Sequence, residues 1–121
     1  MGMTEIERFN ADWLQAWSNK DVERLLTFYT EDADYLDPQV PAGIKGHDAL
    51  RAYLTGLFAA LPATRYTPEA VWDVEGGYCG RWYLDAGEGE AAMRMRGFDF
   101  VQMRDGRISF NEVYTHTLPA A

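Results

Sequence analysis

MRMRGFDFVQMRDGRI spans residues 93–108, and its alternation decides how the second half of the chain is read. Successive side chains of a strand point to opposite faces. One face carries Met93, Met95, Gly97, Asp99, Val101 and Met103; the other carries Arg94, Arg96, Phe98, Phe100, Gln102 and Arg104. The RDG at 104–106 is rich in residues that tolerate positive φ and marks a turn into a further strand. Asp99 is the one charge in an otherwise apolar row, and the arginines lie on the opposite face.

Working outward, the same pattern recurs. Candidate strands cover roughly 65–75, 78–86, 91–104 and 107–118, joined by EGG (75–77), AGEGE (86–90) and RDG. Strands joined by short turns make an antiparallel meander. The first half reads as helices. Ile6, Phe9, Trp13, Ala16 and Trp17 form one apolar stripe within residues 4–18. Asp21 suits the N-cap of a second helix whose stripe is Val22, Leu25, Leu26 and Tyr29. A third helix follows Gly46, with Leu50, Tyr53, Leu54, Leu57, Phe58 and Leu61 on its stripe, and ends at Pro62. Between them, residues 33–37 alternate as a short strand, and Pro38, Pro41 and Gly43 predict an irregular loop. Helices first and sheet after is an α+β fold with the helices on one face of the sheet. No linker or repeat divides residues 1–121, so the expectation is a single domain.

Bulk composition removes several function classes. The net charge is −8, which disfavours nucleic acid and anionic membrane surfaces as partners. No apolar run approaches a membrane span or a signal-peptide core, and a cytoplasmic chain is expected. Cys79 is the sole cysteine and His47 and His116 the sole histidines, so neither a disulfide nor a zinc spacing is present, and Cys79 reads as a buried structural thiol. Neither metal nor cofactor is implied.

Two carboxyls stand out. In YLDPQVPAG (35–43), Asp37 sits between Leu36 and Pro38, with no other charge before Lys45. A buried carboxylate must be neutralised, paired or used, and burial raises its pKa. Two carboxyls in different surroundings can divide into a proton acceptor and a hydrogen-bond donor. Asp before Pro also starts turns, and Asp99 could instead bond a backbone amide or a tyrosine hydroxyl. Trp13, Trp17, Tyr29, Tyr35, Tyr53, Phe58 and Trp82 are candidates to line a pocket for a ring-containing ligand. Met95 and Gly97 share the face of Asp99 and join that set.

These residues lie in segments that resemble the nuclear transport factor 2-like superfamily, and in particular its SnoaL-like polyketide cyclases and ketosteroid isomerases. The segments are WLQAWSNKDVERLLTFYTEDADYLDP (13–38), GIKGHDALRAYL (43–54) and RGFDFVQMRDGRI (96–108). The resemblance implies a cone-shaped fold, three helices wrapped by a strongly curved, mostly antiparallel sheet around an apolar pocket. The ketosteroid isomerases, a worked case of pKa tuning, imply a catalytic base at Asp37 and a protonated donor at Asp99. Their first-helix tyrosine corresponds to Trp13, and a third-helix tyrosine to Leu54, beside Tyr53. Tyr29 matches a supporting tyrosine. Limonene epoxide hydrolase has an arginine where Gly97 stands. The resemblance turns Asn111, Val113 and Thr115 toward the pocket. It leaves the even face of the last strand, Ile108, Phe110, Tyr114 and Leu118, for a homodimer contact on the outer side of the sheet. The resulting expectation is a cofactor-independent acid–base enzyme acting on a hydrophobic, ring-containing carbonyl compound by isomerisation, cyclisation or a lyase step. The alternatives are a non-catalytic binding or dimerisation module and a hydrolase on the same fold.

Overall fold

A computed structural model describes residues 2–119. Three helices, α1 (Glu5–Ser18), α2 (Val22–Thr27) and α3 (His47–Ala60), pack on a six-stranded sheet. Its strands are β1 (Tyr29–Asp37), β2 (Val40–Lys45), β3 (Thr64–Val74), β4 (Gly77–Ala86), β5 (Met93–Arg104) and β6 (Arg107–Thr117). The order across the sheet is β2-β1-β6-β5-β4-β3. Every neighbouring pair is antiparallel except β1 and β6, which run parallel. The fold is therefore α+β with a mostly antiparallel curved sheet.

Local chemistry sets the helix ends. Thr4 and Glu7 form a reciprocal capping box at the start of α1, and the Asp21 carboxylate accepts from Arg24 N at the start of α2. Lys20, at φ 54°, ends the α1–α2 turn. Its Nζ donates to Leu61 O at 2.6 Å and Phe58 O at 3.4 Å. A lysine from one turn thereby satisfies the orphan carbonyls at the end of α3. The apolar stripe of α1 buries Trp13, Leu14 and Trp17, and that of α3 buries Leu50, Leu54 and Phe58. Each such side chain removed from water contributes about 1.5–3 kcal/mol.

Four expectations need correction. Tyr29 does not extend the stripe of α2; it opens β1, which is longer than the expected 33–37. Phe28 caps α2, and the parallel pairing with β6, beginning at Tyr29 and Ile108, draws the chain into the sheet. The expected loop around Pro41 and Gly43 is strand β2. It lies at the sheet edge, the place where a strand tolerates proline because one side makes no ladder bonds. Cys79 is half-buried rather than buried. Ile108 is wholly buried and so cannot belong to an outer contact. The pairing of β5 with β6 slips between Gln102 and Met103, so Ile108 and Asn111 both point inward although their parities differ. A bulge of this kind shifts every later side chain to the other face.

The register places the interior of the sheet under the helices. Asp99 stands opposite Gly80 on β4 and Val113 on β6. Trp82 stands opposite Gly97, and its indole lies across that glycine. A Cβ at position 97 would come within 2.2 Å of Trp82 Cη2 and Cζ2. Gly97→Ala should therefore lower stability by about 1–3 kcal/mol, the usual cost of overpacking. The change should also alter the near-ultraviolet circular dichroism of the tryptophans; an unchanged melt and spectrum would show that the indole is free to move aside.

Candidate active site

The helices and the sheet enclose a cavity of about 140 Å³. Asp37, Asp99, Trp13, Trp17, Tyr35, Tyr53, Trp82 and Met95 all line it. Val113 and Thr115 line it too, so the odd face of β6 beyond the bulge does turn inward. Tyr29, Phe58, Gly97 and Asn111, which were expected in the lining, stand one layer behind it. Phe58 packs edge-on to Trp17 at 5.5 Å, and Gly97 is the seat of Trp82. The lining also includes Tyr66 and Gln39, which were not singled out in advance. Tyr66 had a signal: an aromatic between Arg65 and Thr67, on the strand face that alternation turns away from those two polar residues.

Asp99 is 2% exposed. Its two oxygens are held by donors from the two flanking strands. Trp82 Nε1 donates to Oδ2 at 2.6 Å, and Asn111 Nδ2 donates to Oδ1 at 3.1 Å. The cross-strand partners of Asp99 are Gly80 and Val113, so both donors come from diagonal positions, which long side chains reach. Neither donor is charged. Burial dominates and pushes the Asp99 carboxyl up to about 7, against the pull of the two hydrogen bonds. Behind Asn111, the Tyr29 hydroxyl donates to Asn111 Oδ1 at 2.9 Å. That bond sets the amide so that its NH₂, and not its oxygen, faces Asp99.

Asp37 is held in a different way. Its Oδ1 accepts from the backbone N–H groups of Gln39 (2.8 Å) and Val40 (3.1 Å), and its Oδ2 from the hydroxyls of Tyr35 (2.8 Å) and Tyr53 (2.6 Å). A carboxylate offers about four acceptor positions, and here all are used. The turn reading and the pocket reading of Asp37 are both correct: one oxygen shapes the β1–β2 turn while the other anchors two cavity tyrosines.

The aromatic rings connect the two acids. Trp82 meets Tyr66 at 5.1 Å, Tyr66 meets Trp17 at 5.8 Å, Trp17 meets Tyr35 at 6.4 Å, and Tyr35 meets Tyr53 at 5.8 Å. The arc is tied to Asp99 at one end and to Asp37 at the other. Trp13 lies beside it, with its ring edge-on to Tyr29 at 6.3 Å. Its Nε1 has under 1 Å² of accessible surface and no hydrogen-bond acceptor. Burial holds the Tyr29 hydroxyl well above the ordinary tyrosine range, and the Trp13 N–H beside it offsets this only in part. Among the described residues no lysine or arginine lines the cavity, no three metal-ligating side chains cluster, and no helix is long and apolar enough to cross a membrane.

Three helices on a curved, mostly antiparallel sheet make the ketosteroid isomerase-like fold, and solved structures of that fold superpose on this chain. The model of the SnoaL-like domain matches residues 10–111, and the chain belongs to that family. No curated protein sequence matches it. Among solved structures, a designated polyketide cyclase from Acidithiobacillus ferrooxidans superposes with a TM-score of 0.80 at 14% identity, over 95% of this chain and 91% of that one. A designated isomerase from Bacillus subtilis gives 0.76 at 20% identity, over 94% and 90%. The epoxide hydrolase/cyclase-like enzyme SalBIII, of pyran ring formation in the polyether salinomycin, gives 0.74 at 17%, over 93% and 91%. At these identities the likeness is one of fold.

Two measurements probe the Asp99 environment. Its folded pKa lies above the ordinary 3.8, so the protonated form favours the native state. That stabilisation is full below about pH 4 and is lost as the pH rises toward and through about 7. The stability of the protein relative to Asp99→Asn should therefore fall across that window and level off above it; a flat difference would mean an ordinary carboxyl. Tyr29→Phe frees the Asn111 amide to turn its oxygen toward Asp99. Carboxyl ¹³C titration should then show the Asp99 pKa rising further, whereas a purely structural tyrosine would leave it in place.

Proposed function

We propose that the protein is an acid–base catalyst that moves a proton on a hydrophobic, ring-containing carbonyl compound, and that Asp99 is the group that exchanges it. The observation that carries this reading is the Asp99 carboxyl itself. It is buried at the cavity wall, it is held by two neutral donors, and its pKa is pushed up to about 7 by burial. A catalytic acid–base group works best with a pKa near the working pH. Asp99 meets that condition through burial and two neutral donors, without a charged partner.

In the step we propose, ionised Asp99 takes a proton from the carbon next to the carbonyl. The C–H electron pair moves into the enolate, and negative charge develops on oxygen. Protonated Asp99 then returns the proton to another carbon, which completes an isomerisation. Alternatively, the enolate carbon attacks a second carbonyl, which closes a ring, and the alkoxide so formed takes the proton back from Asp99. The names of the cyclase and isomerase relatives agree with either outcome.

The sequence-based expectation gave the base to Asp37 and the donor role to Asp99. The hydrogen bonds favour a different division. A proton taken by Asp37 displaces one of four donors already in place, two of them the tyrosines of the cavity wall. Asp37 is thus better suited to hold Tyr35 and Tyr53. A hydrolase of the arginine-assisted kind is disfavoured, because the Trp82 indole fills the space a side chain at position 97 would need.

The test is deuterium exchange next to the carbonyl in a panel of one- to three-ring cyclic enones, followed by NMR in D₂O. The exchange rate should rise with pH through about 7 and then level off, since the ionised form is the base. Asp99→Asn should slow exchange by about 10²–10⁴-fold. Asp37→Asn should weaken ligand binding and lower Tm while exchange persists. No exchange with any member of the panel, alongside tight binding, would favour the non-catalytic binding module. Abolition by Asp37→Asn at unchanged Tm would return the base role to Asp37.

A further inference from the structure

The cavity is lined by three tyrosines, Tyr35, Tyr53 and Tyr66, and their hydroxyls are not equivalent. Tyr35 and Tyr53 both spend theirs on Asp37 Oδ2. The Tyr66 hydroxyl has no protein acceptor among the described residues; what acts on it is burial and the charges of Asp99 and Asp37. These hold its pKa well above the ordinary tyrosine range, so the phenol keeps its proton. It can donate a hydrogen bond and does not itself ionise.

The rest of Tyr66 is fixed. Its backbone N–H donates to Ser18 Oγ at 2.9 Å, and that hydroxyl donates in turn to Leu14 O at 3.0 Å. Position 66 on β3 is thereby pinned to the last turn of α1. The ring packs edge-on to Trp82 and tilted against Trp17. A clamped ring with a free hydroxyl, next to the indole that holds Asp99, is a preorganised donor. The other N–H and O–H groups near Asp99 are committed or turned away. Trp82 Nε1 is bonded to Asp99, and Trp13 Nε1 has no accessible surface to speak of. Thr115 also lines the cavity, but an aliphatic hydroxyl is a weaker donor to a developing anion than a phenol.

We propose that Tyr66 is a catalytic residue, whose phenol O–H donates to the carbonyl oxygen as Asp99 removes the neighbouring proton. The inference rests on the acid–base reading above and adds the group that receives the charge. In that step the C–H bond breaks and its proton goes to Asp99. The electron pair ends on the oxygen bonded to Tyr66, and Tyr66 keeps its own proton throughout. The substrate oxygen must then sit near the Trp82 end of the aromatic arc, away from Asp37.

The test uses 4-nitrophenolate, whose absorbance reports the charge on its oxygen. It is run in the Asp99→Asn chain, where a neutral amide stands for the carboxyl once it has taken the proton. Asp99→Asn should bind the phenolate with a shifted band. Adding Tyr66→Phe should weaken binding roughly tenfold or more, the scale of a hydrogen bond to a charged group, and should abolish the shift. Equal binding by both chains overturns the assignment of Tyr66. In that event the Asp99 reading still stands or falls separately, on deuterium exchange by the wild type. Absence of phenolate binding overturns the Tyr66 assignment as well. A measurement without any variant guards against misfolding: in the wild type labelled with ¹³Cζ-tyrosine and titrated below pH 7, the Tyr66 resonance should move on phenolate addition, and a static resonance counts against the proposal.

Discussion

The contact between Trp82 Nε1 and Asp99 is the one on which the interior of this protein depends. An ionisable group buried at 2% exposure normally needs a charged partner. Here the partners are an indole and an amide, and the Asp99 carboxyl is left poised between its two forms. For the indole to reach, its ring must cross β5, and that requires the absence of a side chain at position 97. For the amide to present its NH₂, Tyr29 must occupy the oxygen of Asn111. The first residue of β1, a glycine of β5, a tryptophan of β4 and an asparagine of β6 are thus committed to one carboxyl.

The two aspartates illustrate how surroundings divide identical side chains. Asp37 lies in a turn, takes backbone N–H groups on one oxygen and phenols on the other, and has no acceptor position to spare. Asp99 lies mid-strand, with one neutral donor per oxygen and apolar neighbours. The first arrangement immobilises its neighbours; the second leaves a buried carboxyl pushed up to about 7. Between them, the aromatic arc is held at both ends, so the cavity shape is set by hydrogen bonds as well as by packing.

Much of this was legible in the sequence because it follows from simple periods. The strict alternation of residues 93–104 placed Asp99 on an apolar face, and three- and four-residue spacing placed Trp13 and Trp17 on the buried side of α1. What escaped was decided by contacts between distant segments. Tyr29 fits a helical stripe, and only pairing with β6 makes it a strand residue. Pro41 and Gly43 read as loop unless the strand is known to lie at an edge. The last strand was ambiguous because a bulge, invisible to alternation, turns Ile108 and Asn111 the same way. The partners of Asp99 were out of reach for the same reason: they lie at diagonal positions on two other strands. Trp13 lines the cavity as its helix face implies, but that its N–H is buried without an acceptor depends on neighbours the helix period does not show.

The pairing of Gly97 with Trp82 also bears on how the family can diverge. In this chain, any residue larger than glycine at position 97 must displace the indole, and with it a donor to Asp99. The loss of Trp82 alone leaves Asp99 with half its hydrogen bonds. A lineage moving from this site toward one with a charged side chain at position 97 would have to change both positions together, and each single step passes through a chain that is both less stable and electrostatically altered. The two positions are physically coupled, so a substitution at one calls for a compensating change at the other.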